Sequence, residues 1–401
     1  MRSADDDRLR GYNAGPLIRD GWRVRRPLPG PRRPQSRPVR IFLTLFILSV
    51  VLFAYPVWRL ASWLDLPTVA KLIITTPLFL SQFIARWVLR NRTGSWAYVV
   101  RSAADFFLGL TPVILLQVLL AEAVLLLFDP PGQQVACFVL FTTLLAGIWG
   151  LKKAWRPDIV VVALSSKKLT RPVRFAQISD VHIGSRTSRF LASTIRLVNE
   201  QNPDFMCITG DFIDQPGVTL DKLRPLADFN GPVYYCIGNH ERYEDLDRIV
   251  ERLTALGVEV LRNRSVEVDG LQFIGIDDHG DPRQVARVLP FIDVKRELYS
   301  ILLYHRPHGL ADAHRHGIDL KISGHTHAGQ VVPFHLAVNR VFEYARGLYQ
   351  HGDTYLYVNE GTGTWGPTLR LGTRSEITLF ELSPAVSGIQ PAEQPEATHR
   401  A

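Results

Sequence analysis

Four long apolar runs, all within the first 151 of 401 residues, constrain this chain more than any other feature. Residues 41–58, from Ile41 to Trp58, are uncharged and just long enough to cross a bilayer as a helix. Residues 106–128, interrupted by Glu122, and residues 135–151 form two more such runs. The run 72–85 is shorter and contains Pro77; extended to Leu89, with Arg86 reaching the interface, it also spans. Residues 41–151 therefore read as a membrane domain of about four transmembrane helices.

Charge between the runs supports that count. Residues 1–40 are rich in Arg and Pro and read as a basic, disordered cytoplasmic tail. The connection 86–105 carries Arg86, Arg90, Arg92 and Arg101 against Asp105, and the stretch after the last run carries Lys152, Lys153, Arg156, Lys167 and Lys168. The connection 129–134 has no Lys or Arg. Four spans with both ends in the cytoplasm satisfy the positive-inside rule, the first connection with Arg59, Asp65 and Lys71 being nearly neutral. A cleavable secretory signal is not expected, because its apolar core is shorter and further spans follow. Glu122 lies seven residues before Asp129, so its carboxylate is expected to reach the outer interface rather than serve transport.

The net charge of +8 gathers in the N-terminal tail and the loops between apolar runs, a pattern suited to anionic lipid headgroups. No nucleic-acid partner is expected. Cys137, Cys207 and Cys236 form no Cys-x-x-Cys pair and read as small buried hydrophobes, with neither a zinc ribbon nor a disulfide framework. All twelve histidines lie from His182 onward, so imidazole-based metal chemistry belongs to the second half.

From residue 157 the pattern changes to short alternating elements. Asp158–Leu164, Val173–Ile178, Phe205–Ile208, Val233–Ile237, Ile301–Tyr304 and Leu320–Ile322 read as strands, being short and rich in β-branched or aromatic residues. Helical patterns fall at 188–201, 219–228 and 246–256. Alternation of this kind implies a layered α/β domain over 157–383, with loops at strand C-termini free to build a site and a disordered tail at 384–401.

Five motifs fall in such loops: Asp180-Val-His182, Gly210-Asp211-Phe-Ile-Asp214, Gly238-Asn239-His240-Glu241, His305, and Gly324-His325-Thr-His327. An extended segment turns alternate residues the same way, so Asp180 and His182 are expected to converge, and likewise His325 and His327. Gly210 allows a close backbone approach. Imidazole nitrogens mixed with carboxylate and amide oxygens suit Mn, Fe, Zn or Ni better than Mg or Ca.

In this order the motifs resemble the calcineurin-like metallophosphoesterase family over roughly residues 170–383. The later segments Gly347-Leu-Tyr, Tyr357-Val-Asn-Glu-Gly-Thr-Gly and Pro367-Thr-Leu-Arg-Leu-Gly resemble its bacterial membrane-associated branch; His308 stands where that branch often has an acid. The resemblance implies an α/β (α+β) layered β-sandwich flanked by helices, following the N-terminal transmembrane bundle. It implies Asp180, His182 and His327 as ligands of one divalent metal, Asn239, His305 and His325 as ligands of a second, and Asp211 as the bridge. By the same resemblance His240 is catalytic, protonating the leaving group or steadying the phosphate, and Asp214 orients ligands.

Two such metals would clamp a phosphoryl group and lower the pKa of a water between them. The expected activity is hydrolysis of a phosphodiester or pyrophosphate, in a substrate that the membrane half biases towards a lipid-linked one. The expected location is a bacterial inner membrane with the catalytic domain in the cytoplasm. The alternative is a catalytically silent membrane sensor or scaffold that keeps the fold, which loss of a bridging ligand or of His240 would favour; both residues are present. A transporter reading rests on the four spans alone.

Overall fold

The computed structural model of the protein describes residues 43–89 apart from Leu45, together with Arg92, 94–215 and 217–385. The basic tail assigned to 1–40, Arg90, and residues 386–401 lie outside the described residues. The chain divides into a unit ending at Ile47 and a unit from Leu48, which holds the elements below apart from Phe46 and Ile47.

Among the described residues, four helices are long and apolar enough to cross a membrane: Phe46–Trp63, Thr68–Val88, Ser95–Phe128 and Gly132–Trp155. Their α-helical parts are α1 (Tyr55–Trp63), α2 (Thr68–Phe83), α3 (Ser95–Phe128) and α4 (Gly132–Trp155). Helices here outrun the uncharged runs because charges inside them find partners. Arg59, expected in a connection, lies within α1 and its guanidinium pairs with Glu122 of α3, to which the Tyr55 hydroxyl also donates at 3.3 Å. Glu122 is thus answered by a neighbouring helix instead of the outer interface. Asp105, within α3, pairs with Arg86 at 2.6 Å.

The second half is two six-stranded sheets. One contains β1 (Asp158–Ser166), β2 (Val173–Ile178), β3 (Phe205–Thr209), β4 (Val233–Cys236), β5 (Val258–Val260) and β12 (Glu376–Pro384), in the order β1-β12-β2-β3-β4-β5. The other contains β6 (Arg264–Val268), β7 (Leu271–Ile276), β8 (Tyr299–Tyr304), β9 (Leu320–Ser323), β10 (Gly347–His351) and β11 (Thr354–Val358), in the order β10-β11-β9-β8-β7-β6. Pro384, assigned to the tail, is the last residue of β12.

The sheets share one core. Phe175 stacks between Phe205 and Phe380 at 4.8 and 4.6 Å, and Tyr234 of the first sheet stacks on Phe273 of the second at 3.8 Å. Cys207 and Cys236 lie in this core as free thiols, and burial pushes both well above the usual thiol range, so they act as packing groups. Cys137, expected to be buried, is exposed on α4. Helices α5 (Ser188–Asn199) and α6 (Leu246–Ala255) cover the first sheet with Leu191, Ile195, Val198, Ile249 and Leu253. Helices α7 (Gln284–Val288) and α8 (Leu310–Arg315) carry Val285 and Ala313 onto the second. Each fully buried Val, Leu, Ile or Phe side chain of this kind contributes roughly 1.5–3 kcal/mol.

A further core joins the two halves of the chain. Leu369 and Val331 are buried with Leu60, Trp63, Leu110, Ile114 and Val118 of the apolar helices. The loop that carries Leu369 therefore places the sheet domain against α3 and α4.

Candidate metal centre

Strands β2, β3 and β4 run parallel in one sheet, as do β7, β8 and β9 in the other. Loops at the C-terminal ends of parallel strands lie together. All five motifs leave such ends, three from the first sheet and two from the second, and the structure brings them to one place.

Asp180, His182 and His327 form one cluster of donor atoms and Asp211, His305 and His325 another, each within 4.8 Å. In the first, His182 Nε2 faces His327 Nε2 at 3.2 Å, and Asp180 Oδ1 lies 3.3 Å from His327 Nε2. In the second, His305 Nε2 lies 3.0 Å from His325 Nδ1 and 3.1 Å from Asp211 Oδ2. Donors about 2.0–2.1 Å from one ion and roughly 90–110° apart stand about 3.0–3.4 Å from each other, so these spacings fit a shared cation. His305 Nδ1 lies 2.8 Å from the Thr209 carbonyl and donates to it, so that Nε2 is the nitrogen that would offer its lone pair to a cation in place of its proton. Asn239 Oδ1 is buried with no hydrogen-bond partner, as suits an oxygen awaiting a cation.

The electrostatics agree. Burial works against a cation on His305, yet the Asp211 and Asp180 carboxylates hold its pKa up at about 10. Both carboxylates are held well below their usual range against burial, by His327 for Asp180 and by His305 for Asp211. The pocket demands positive charge, and a divalent metal would supply it.

The extended geometry expected for the two His-containing motifs does not occur. Asp180, His182, Asp211, His325 and His327 all take left-handed backbone conformations, with φ between 49° and 75°. Non-glycine residues rarely do so, and such strain gathers where surrounding structure over-determines the backbone. Here the loops are laced together: Asp180 N donates to Gly210 O and His182 N to Asp211 O, both at 3.1 Å. The kinks also send His325 and His327 to different clusters. Gly210, with φ of 82°, packs so tightly that a Cβ would stand 2.7 Å from the backbone of Gly238 and 2.8 Å from the His305 ring.

His240 lies at the open side, its ring 4.9 Å from that of His182 and its Nε2 3.9 Å from Asp211 Oδ2. Its ring is flanked by exposed Tyr243 and Trp365 at 5.9 and 5.7 Å. Asp214 Oδ2 stands 3.4 Å from His182 Nδ1, close enough for charge but without hydrogen-bond geometry, and Asp214 Oδ1 accepts from Ser185 N at 2.9 Å. His308 stacks on Phe342, which also touches the His325 ring.

Three residues with clear roles here carry none in the sequence reading. Glu241 is buried and accepts the amides of Asp211, Phe212, Ile213 and Gly238 at 2.6–3.1 Å. A Glu three residues after a helix-capping position is its only sequence signal. Arg186 and Arg370 are buried beside His182 and His327; Arg370 falls within the segment Pro367-Thr-Leu-Arg-Leu-Gly, whereas no local pattern marks Arg186.

The calcineurin-like phosphoesterase family model matches residues 173–329. An uncharacterized metallophosphoesterase of Aquifex aeolicus is 30% identical over 259 residues, 61% of this chain and 98% of that protein. The chain belongs to the calcineurin-like metallophosphoesterase family. An uncharacterized metallophosphoesterase of Helicobacter pylori is 34% identical over 243 residues, 57% of this chain. A transmembrane protein with metallophosphoesterase domain from Danio rerio is 33% identical over 286 residues, 63% of this chain. The matched regions span 65% and 63% of those two relatives. A solved dimetal phosphatase from Danio rerio overlaps 53% of this chain and 98% of its own, at 13% identity and a TM-score of 0.30. Members of the family are phosphoesterases that use divalent metals, and the four apolar helices together with the transmembrane relatives mark this one as a membrane protein.

Proposed function

We propose that this protein is a membrane-anchored, dinuclear-metal hydrolase of a phosphodiester or pyrophosphate bond in a lipid-linked substrate, with its catalytic half on the cytoplasmic face of a bacterial inner membrane. The observation that carries the reading is the pair of abutting Asp/His clusters, one of which the Asn239 oxygen, buried without a partner among the described residues, would complete. Asp180, His182 and His327 would hold one ion, Asn239, His305 and His325 the other, and Asp211 would serve both. Two divalent ions, when bound, polarise the phosphoryl oxygens and bring the pKa of a water to about 7.

The protein's own groups orient the reaction. The Asp211 carboxylate is fixed by the His240 amide, which donates to Oδ1 at 2.8 Å, leaving Oδ2 towards His305. His240, on the open side, is placed to give a proton to the departing oxygen. Burial lowers its pKa, against the raising influence of the Asp211 carboxylate.

A lipid-linked substrate is favoured by what surrounds the opening. Trp365 flanks His240, the next residue Gly366 approaches the Arg86 guanidinium, and Leu369 is buried among the apolar helices. An anionic headgroup would reach the site without its acyl chains leaving the bilayer. Purified full-length protein, reconstituted separately with Mn, Fe, Zn and Ni, should be assayed on phosphomonoesters, phosphodiesters and lipid pyrophosphates. Turnover of lipid-linked pyrophosphates or diesters above soluble analogues is the expected result. Metal binding without turnover of any of them would replace this reading with the silent scaffold.

A further inference from the structure

The last apolar helix ends beside the Asp180, His182 and His327 cluster, and two buried arginines connect them. Arg370 N donates to the Gly150 carbonyl of α4 at 3.0 Å. Gly150 leaves room for this contact, since a Cβ there would stand 3.2 Å from both Leu369 and Leu371. The Arg370 guanidinium points the other way. Its Nη2 donates to the carbonyls of Gly361 and Gly363, each at 2.8 Å, and Nη1 reaches the His327 carbonyl at 3.4 Å. Gly363 N in turn donates to the Asp180 carbonyl at 3.0 Å.

Arg186 makes the matching connection from the other loop. Its Nη2 donates to the Ala154 carbonyl of α4 at 3.0 Å, and its guanidinium lies over the rings of Trp155 and Phe190. Its backbone N donates to the His182 carbonyl at 2.7 Å. Two or three hydrogen bonds therefore connect each of the three residues in this cluster to the final turns of α4. The Asp211, His305 and His325 cluster is braced from within the sheets, by Glu241, the His240 amide and the Thr209 carbonyl. Arg370 Nη2 also stands 3.3 Å from His327 Nδ1, a direct contact with the cluster. Burying a guanidinium mostly on backbone carbonyls is costly, and each of these two leaves Nε unpartnered among the described residues. Packing by itself would be met more cheaply by an apolar residue.

We propose that Arg186 and Arg370 are positioning residues that tie the ligands of the first metal to the end of α4, so that the apolar helices govern occupancy of that metal and not of the second. The inference rests on the dinuclear reading above. Loss of an outer hydrogen-bond partner of this kind typically weakens metal binding about 10–100-fold.

The test uses the full chain in lipid nanodiscs, titrated with Mn(II) and followed by elemental analysis and electron paramagnetic resonance. Variants are Arg370→Lys and Arg186→Lys, which keep the charge but not the fork, and Gly150→Val, which pushes on Leu369 and Leu371 from the helix side. Leu144→Val, at an exposed position on α4, is the control. Wild type and control should show two ions and the signal of a coupled pair. The three variants should lose about 10-fold or more in affinity for one ion only, and the coupled signal should give way to that of a single Mn(II). Their kcat should fall with KM little changed. Two ions at wild-type affinity in the variants, or equal loss of both, would overturn the proposal. If the arginine variants do not fold, Gly150→Val decides by the same criterion. A wild type that binds fewer than two ions refutes the dinuclear reading, and this inference falls with it.

Discussion

The Asp180 carboxylate accepts the backbone N–H of His325 at 3.0 Å, so a side chain of one cluster fixes the main chain of the other. The two clusters thus touch through the Asp180 side chain. Gly324, before His325, is packed so closely that a Cβ would stand 2.2 Å from the Asp180 carboxylate. Damage to either carboxylate should be felt in both clusters.

Asp211→Ala is expected to abolish activity and to reduce the metal content of the purified protein. Its carboxylate faces His305 at 3.1 Å, anchors on the His240 amide, and is the only one assigned to both ions. Activity should also require a divalent transition metal and disappear on chelation. An Asp211→Ala protein with two ions and near-wild-type turnover would show the assignment to be wrong.

How far the sequence could be read follows from what each signal is made of. The core strands were legible because a β-branched run needs no partner to be recognised, and β2 occupies Val173–Ile178 as expected. The clusters were legible because their residue types are chemically scarce. The left-handed turns were not, since alternation along a strand is a local rule and those φ values are imposed by hydrogen bonds between loops distant in the sequence, such as Asp180 N to Gly210 O and His182 N to Asp211 O. Arg59 was misplaced for a related reason: its charge is tolerated inside α1 only because Glu122 meets it from another helix. Glu241 sat in a quoted motif, yet its four amide contacts reach mostly into a loop about thirty residues away.

His240→Ala should keep its metals and lose rate, by roughly 10²–10⁴-fold if the residue acts as a general acid. Its ring stands beside His182 and opens towards Tyr243 and Trp365, where a leaving group would depart. The loss should shrink for aryl esters, whose leaving groups need no proton. Equal losses on aryl and alkyl phosphodiesters would instead assign His240 to phosphate binding.

A pH effect on stability should come from Lys321. It is buried in β9, where its ammonium donates to the Arg306 carbonyl at 2.9 Å and to Ser323 Oγ at 2.6 Å. Burial pulls its pKa down from 10.5 to about 7. Between about pH 7 and 10.5 the unfolded chain therefore holds more protons than the folded one, and stability rises with pH across that window. Below it both states are protonated and the penalty is constant. Lys321→Met should raise Tm most near or below neutrality, with the gap closing as pH climbs. Thermal melts of both proteins from about pH 6 to 9 check this; a gap that does not narrow would assign the stability difference to another cause.

The topology prediction is that the metal centre faces the cytoplasm. The connection 129–134 lacks Lys and Arg, whereas 86–105 and the residues after 151 are basic, and basic connections stay inside. The described structure brings the basic ends together with the site: Arg86 lies beside Gly366, and the end of α4 reaches Arg186 and Arg370. If the helix Thr68–Val88 crosses, the span count is even and the metal centre lies on the same side as the N-terminus. Fusions at Ala401 to a reporter active only in the cytoplasm and to one active only outside give opposite readouts. Signal from the cytoplasmic reporter alone is expected. Signal from the external one would require an odd number of spans, make Thr68–Val88 the first suspect, and move the site, with its lipid-linked substrate, to the opposite leaflet.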